Sequence, residues 1–251
     1  MDMIYRDEDT FFHRLDPRSK LFIMLFTFVF AVMTDSWTVY IVLATLTILH
    51  SIISKSYPNL KKISFVLFML MMMSLVFWAI GHRGPTKLIG FITLEGLIFG
   101  ANKGVKIIIM IIAGMNFLST TKIEEISAGL VKIGLPYRGA FAFSTAIRLI
   151  PMVLGTTETI IQAQKSRGLD LDSGSIISKV KKYMPLMIPA FVSVIRNTNV
   201  FSMALESKGF GYADKKTSYI EVKMKTVDWV IIVLLIATLL LLIFLKVKRY
   251  I

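Results

Sequence analysis

The chain contains no cysteine in 251 residues. Disulfides, thiolate metal sites and cysteine nucleophiles are therefore excluded. Histidine is almost as scarce. Only His13, His50 and His82 occur, too few and too scattered for a histidine metal site or a proton relay. Charged residues make up 18%, against about 25% in average soluble domains. Acidic residues are the scarcer sign, with 16 Asp and Glu against 29 Lys and Arg and a net charge of +13. No His/Asp/Glu cluster stands at ligand or acid–base spacing. No G-x-x-x-x-G-K-[S/T] phosphate loop occurs either. The chain is thus read as a non-enzyme without cofactor or metal, and any ATP would be hydrolysed by a partner.

What is abundant is apolar. The hydrophobic share is 55% and the mean hydropathy is +0.69. Such values, carried in long apolar runs, read as an integral membrane protein. In that setting the excess of cations reads as cytoplasmic-loop charge and contact with the bilayer's anionic headgroups, not as a nucleic-acid surface.

Residues 1–20 carry both charge signs, with Asp7, Glu8 and Asp9 against Arg14, Arg18 and Lys20. No small-residue cleavage pattern ends the apolar run that follows. That run is expected to remain as a membrane helix. Leu21 to Ile53 spans 33 residues with one polar break at Thr34-Asp35-Ser36. A single helix of that length would be roughly 50 Å long, well beyond a hydrocarbon core of roughly 30 Å. A hairpin turning at Asp35 fits better, with helices over 19–34 and 37–54. A basic, Pro-bearing loop over 55–62 precedes a third span over 62–80, rich in Met and Phe. Gly81-His-Arg-Gly-Pro-Thr-Lys87 ends it. A fourth span over 97–118 is interrupted by Lys103 and Lys106. The last runs from Trp229 to Leu245, with Asp228 and Trp229 at one interface and Lys246, Lys248 and Arg249 at the other.

Residues 119–227 are different in kind. They hold 15 Lys and Arg and 8 Asp and Glu, a net of +7 by subtraction. Two semi-apolar stretches lie within, Ala140–Ala163 and Tyr183–Ala204. They carry Arg148 and Arg196 and the prolines Pro151, Pro185 and Pro189. A central Arg costs about 2.5–3.5 kcal/mol on insertion scales. Both stretches are therefore read as long amphipathic helices on the cytoplasmic side. The basic residues at 14–20, 55–62 and 119–227 place those parts in the cytoplasm. Five spans then leave the C-terminus outside, in tension with Lys246, Lys248 and Arg249. Four and six spans are the alternatives. The expected fold is all-α and polytopic. It comprises a membrane domain over 1–118 with about four spans, a cytoplasmic domain over 119–227, and a final transmembrane helix over 228–251.

A degenerate repeat marks the cytoplasmic region. Ala163-Gln-Lys-Ser-Arg167-Gly168 recurs 41 residues later as Ala204-Leu-Glu-Ser-Lys208-Gly209. Ala and the basic residue stand at i and i+4, on one helix face. Gly then supplies the left-handed conformation that ends a helix. Turn-favouring residues follow each copy: Asp170, Asp172, Ser173 and Gly174 after the first, Gly211 and Asp214 after the second. Each copy describes a small residue, a cation and an abrupt stop. Basic residues in a last turn also complement the helix dipole, so one copy alone is ordinary. Two copies point to two docking points on a partner.

With these motifs in hand, the sequence resembles the transmembrane T component of energy-coupling factor (ECF) transporters, the CbiQ-like family. The resemblance runs from His13-Arg14-Leu15-Asp16-Pro17-Arg18-Ser19-Lys20 through Glu95-Gly96-Leu97, Ser119-Thr120-Thr121 and Ala146-Ile147-Arg148-Leu149-Ile150-Pro151 to the two Ala-x-x-x-basic-Gly ends. Each motif is short; their order and spacing carry the resemblance. It implies a prokaryotic cell-membrane subunit that joins two cytoplasmic ABC ATPases to a small membrane substrate-binding S component for vitamin or metal-ion uptake. It also implies that two coupling helices dock on the ATPases through Ala163, Arg167 and Gly168 and through Ala204, Lys208 and Gly209. Lys208 departs from the family's usual Arg; it keeps the charge and loses the planar fork. The transported solute would be set by the S component.

Other residues have plainer readings. Lys103 and Lys106 can snorkel from the first third of their span, although an ionisable residue there is also a candidate functional group. Phe11, Phe12 and Leu15 suggest an interfacial segment. Met69, Met71, Met72 and Met73 read as packing or lipid-facing, with an adaptable surface for different S components as the alternative. Arg148 is expected to satisfy a polar contact within the helical scaffold. A self-sufficient secondary transporter or channel would need paired ionisable residues in broken helices near the midplane. Apart from Lys103 and Lys106, the clear spans lack them.

Overall fold

The structure, a computed structural model, describes residues 5–82, 86–89, 92–170, 173, 175–212 and 224–250. Among these residues the fold is helical. Its elements are α1 (Pro17–Met33), α2 (Trp37–Ile53), α3 (Tyr57–Gly81), α4 (Leu94–Thr120), α5 (Ile123–Ile133), α6 (Tyr137–Ser166), α7 (Ile176–Ser207) and α8 (Thr226–Tyr250). A two-stranded antiparallel ribbon, β1 (Lys87–Ile89) and β2 (Ile92–Thr93), leads into α4. The chain divides into two compact units. One comprises Asp2–Leu135 with Val222–Ile251; the other is Pro136–Glu221.

Local chemistry explains the element ends in the first unit. Asp16 caps α1 by accepting the Arg18 amide, and Pro17 takes the first helical position. Thr34-Asp35-Ser36 breaks the first apolar run, as its polar character predicts. α3 begins at Tyr57, inside the stretch read as a loop over 55–62. Pro58 falls in its first turn, where a missing N–H costs nothing. The basic residues Lys61 and Lys62 thus lie on the helix, exposed at its start. Thr93 caps α4 through the Gly96 amide.

The first unit is a bundle of alternating helices. α1, α3 and α8 run one way, α2 and α4 the other. Asp16 donates its amide to Asp228 Oδ1 at 3.0 Å, joining the starts of α1 and α8. Lys246 donates to the Met33 carbonyl at 3.0 Å, joining their far ends. α8 therefore crosses with α1, and the basic C-terminal residue has a structural task. It satisfies an orphan carbonyl at the C-terminus of α1. That contact accounts for a lysine at the end where charge rules alone did not expect one. The side chain of Arg249 is not among those described.

Two kinds of packing hold the bundle. The first is close approach of α3 and α4. A Cβ placed on Gly96 would lie 2.6 Å from the Trp78 carbonyl. On Gly100 it would lie 2.9 Å from the Ser74 carbonyl, and on Gly104 2.5 Å from Met71 Sδ. Small residues every fourth position let the two backbones touch. The second is polar. Ser74 donates to the Gly100 carbonyl at 2.8 Å, and Asn116 donates to the Thr47 carbonyl at 2.9 Å. Ala31, Tyr40, Leu43 and Ile109 form the small apolar core. Elsewhere large apolar side chains face outward, as on Phe65, Phe68, Val76 and Phe77 of α3. A bilayer as solvent makes that arrangement favourable.

By length and composition, α3, α4, α6 and Thr226–Phe244 of α8 can cross a membrane. α2 is apolar and shorter, at 17 residues. α6 joins this group although the sequence reading places it on the cytoplasmic side. It remains helical through Pro151, with Arg148 one turn before.

Candidate docking ends and the charged base of the bundle

The second unit holds both copies of the repeat. α6 extends further than Ala140–Ala163 in both directions, and α7 begins seven residues before Tyr183. Each helix ends on the repeat. Arg167 is the C-cap of α6 and Lys208 the C-cap of α7, with φ of −85° at both. Gly168 and Gly209 follow with φ of +90° and +69°, a region that L side chains rarely adopt. In the first copy Gly168 donates to the Lys165 carbonyl at 3.0 Å and Leu169 to the Gln164 carbonyl at 3.0 Å. In the second, Gly209 donates to the Glu206 carbonyl and Phe210 to the Leu205 carbonyl, each at 2.9 Å. Both are complete Schellman motifs. The weak sequence repeat is a close backbone repeat.

Ala163, Arg167 and Gly168 are exposed, as are Ala204, Lys208 and Gly209. Among the described residues neither Arg167 nor Lys208 pairs with a carboxylate. Each end is also fixed by neighbours, of which pattern reading singled out Asp170 and Ser173 but not Lys182, Tyr137, Phe141 or Phe210. After the first, Lys182 donates to the Ser173 carbonyl at 2.9 Å and contacts Ser173 Oγ at 3.0 Å. Asp170 accepts the Ser173 amide and lies 4.0 Å from Lys182. After the second, the Phe210 ring lies 4.2 Å from Phe141 and 6.3 Å from Tyr137. Aromatic spacing at 137, 141 and 210 was the available signal. Of the other turn-favouring residues, Gly211 has φ of +95°, and Asp172, Gly174 and Asp214 lie outside the described residues.

The Phe210 contact also sets the distance between the two ends. It holds Lys208 near the first turns of α6. Arg167 lies 26 residues beyond Phe141 on the same helix, roughly 40 Å at about 1.5 Å per residue. The two cations are thus presented at opposite ends of α6.

A different cluster lies at the base of the first unit, where α1, α3 and α8 begin. Asp228 is fully buried and accepts both the Asp16 amide and, at 2.8 Å, the Lys225 amide. Lys20 is 3% exposed and donates to the His13 and Thr120 carbonyls at 2.9 and 2.8 Å. Asn59 donates to Ser119 Oγ at 2.9 Å. His50 stacks on Phe12 at 3.8 Å. Burial pushes the His13 imidazole below its ordinary pKa, with the Lys20 charge adding to the effect. Asp228, read from sequence as an interfacial residue, is a buried cap.

At the other end, Lys106 does not snorkel freely. It is 8% exposed and lies 2.8 Å from Asp35 Oδ1, with its ammonium 5.7 Å from the Tyr40 ring. This hydrogen-bonded pairing holds the Asp35 carboxyl below the usual carboxylate range. Lys103 lies 4.8 Å from the Phe99 ring centroid. Of the two lysines within α4, Lys106 is therefore committed to the turn between α1 and α2.

The architecture defines a class: a polytopic helical membrane protein with an appended helix pair that displays two equivalent basic ends. Residues 8–219 match the family model described as "Cobalt transport protein", CbiQ, and the chain belongs to that family. Curated relatives carry the name energy-coupling factor transporter transmembrane protein EcfT. The one from Clostridium kluyveri is 31% identical over 90% of this chain and 89% of its own. That from Staphylococcus aureus is 30% identical over 96% and 95%. That from Lactococcus lactis is 28% identical over 97% of each. The chain is thus a transmembrane component of the ECF transporter class, a membrane transport protein of bacterial type.

Proposed function

We propose that this chain is the coupling subunit of an ECF-type ABC importer. It joins two cytoplasmic ATPase subunits to a membrane S component that binds a vitamin or a metal ion. It hydrolyses no ATP itself. α6 and α7 act as the coupling helices, within a cytoplasmic-side region over 119–227. The membrane domain over 1–118 and the helix over 228–251 form the membrane scaffold. Ala163, Arg167 and Gly168 form one ATPase-docking end, and Ala204, Lys208 and Gly209 the other.

One observation carries this reading. Two exposed cations sit on matching Schellman caps at opposite ends of one helix pair. A single groove could not receive both across roughly 40 Å of helix; two subunits could. Ala four residues before each cation leaves room for a partner backbone to approach. The helix C-terminus exposes carbonyl oxygens, so each end offers a partner one strong donor set against a background of acceptors. Lys208 offers a point charge where Arg167 offers a fork, so the second dock is the weaker. A self-sufficient transporter is less well supported, since Lys106 is engaged with Asp35.

The test is co-purification. The tagged chain is extracted from its native membrane in mild detergent and its companions are identified by mass spectrometry. Two ATPase subunits and a small hydrophobic protein are expected with wild type. Arg167→Glu with Lys208→Glu should lose the ATPases while the chain still inserts in the membrane. Retention of both ATPases by the double variant would defeat the docking assignment.

A further inference from the structure

The movement of coupling helices is useful only if it reaches the membrane helices without slack. The chain between them is α5. It leaves α4 through the short corner at Thr121 and Lys122, and it precedes α6 across Gly134, Leu135 and Pro136. An eleven-residue helix on two flexible corners would absorb motion. The structure shows what prevents that at the first corner.

Lys20 is the centre of the arrangement. Its side chain is 2% exposed, yet it ends in an amine that must find partners. It donates to the carbonyl of Thr120, the last residue of α4, at 2.8 Å. It donates to the carbonyl of His13 in the N-terminal segment at 2.9 Å. The carboxylate of Glu125, in the first turn of α5, lies 3.8 Å away. One buried cation on α1 thus gathers three segments. Burying a charge is costly unless it is paired and hydrogen-bonded, so this geometry specifies the corner tightly. The α5 backbone also rests on α1. A Cβ on Gly129 would lie 3.4 Å from Pro17 Cβ and 3.7 Å from Arg18 Cγ, and Ser127 and Gly129 are buried.

We infer that Lys20, through Glu125 and the Thr120 carbonyl, is a positioning residue that locks α5 to α1 and α4 as one rigid body. The first corner is then closed to motion. The transmission role rests on the coupling reading above; the lock itself rests on the geometry alone.

The absence of cysteine makes a direct test simple. Spin labels at Lys61→Cys and Lys132→Cys report the position of α5 against α3. Labels at Lys61→Cys and Lys225→Cys report the bundle without α5. All three positions are exposed. In the full chain, Lys20→Gln and Glu125→Gln should broaden the 61–132 distance distribution at least twofold. The 61–225 distribution should stay narrow. Lys20→Arg, which keeps a buried cation, should restore a narrow 61–132 distribution. Equal broadening of both pairs, or of neither, would overturn the inference. Native complexes carrying Lys20→Gln should still retain ATPase subunits. Their loss to the same degree as with Arg167→Glu would move Lys20 into assembly and refute the positioning role. If wild type itself captures no ATPase, the coupling reading fails while the distance measurements still judge the lock.

Discussion

Gly168 and Gly209 stand 41 residues apart and close α6 and α7 with the same pair of hydrogen bonds, from the glycine amide and from the next amide. The cation before each glycine is thereby the C-cap of its helix. It projects from a fixed backbone, not from a loop. That relationship makes Arg167 and Lys208 comparable positions and lets their side chains be tested against each other.

The glycines set the presentation of those cations. No neighbour lies within 4 Å of a Cβ built at either position. Gly168→Ala and Gly209→Ala should therefore cost conformational strain alone, about 1–2 kcal/mol at each cap. ATPase capture should fall severalfold at constant charge, and Gly→Asn should be milder because Asn tolerates the left-handed region. Unchanged capture by both Ala variants would show that cap geometry does not matter to docking.

Lys208→Arg should strengthen the second dock. A guanidinium can bond a carboxylate or paired carbonyls through two parallel donors. A gain of roughly threefold to tenfold in ATPase affinity is expected, equivalent to about 0.7–1.4 kcal/mol. Titration of purified ATPase onto the immobilised chain would measure it. Weaker binding would mean that the groove is shaped for an ammonium.

The glycine row on α4 predicts a contrast. Gly100→Ala brings a methyl within 2.9 Å of a backbone carbonyl, so α3 and α4 must part. Gly155 on α6 has no atom within 4 Å of a built Cβ and an ordinary helical φ. Gly155→Ala should raise local stability by up to about 1 kcal/mol, from helix propensity. Thermal melts in one detergent should show Gly100→Ala losing several degrees and Gly155→Ala losing none.

Lys106 and Asp35 should respond asymmetrically. Asp35→Ala leaves a buried ammonium without its carboxylate, whereas Lys106→Met removes the charge that needs pairing. Truncating one partner of such a pair costs more than replacing the buried cation by an apolar side chain. The exposure of Asp35 moderates the effect, so about 1–2 kcal/mol is expected for Asp35→Ala. A lower melting temperature for Lys106→Met than for Asp35→Ala would refute this account.

His13 gives the N-terminal segment a pH dependence. Its pKa in the folded chain lies below the ordinary value of 6.5, because burial disfavours the imidazolium. The unfolded chain therefore binds the proton more readily. Stability from this group is complete above about pH 6.5 and declines as pH falls toward the folded pKa. His13→Gln should flatten the difference between melts at pH 5 and pH 7.5. Imidazole resonances titrating above 6.5 would contradict it.

Much of this protein was legible before its structure. Apolar runs longer than a soluble core requires announced membrane helices, and Asp35 marked the hairpin turn because a carboxylate does not sit in hydrocarbon. The two Ala-x-x-x-basic-Gly copies announced helix ends, since glycine is the residue that accepts a left-handed cap. These features are local, and a helix satisfies its backbone within its own segment. Other features depend on residues far apart in sequence. Nothing near Lys246 foretold that it would cap α1, nothing near Lys106 named Asp35 as its partner, and nothing near Lys20 placed Thr120 and Glu125 around it. Their spacing of 71 to 213 residues carries no periodic signal. A buried charge must be neutralised by whatever polar group the assembled helices bring to it, and only assembly brings those groups together.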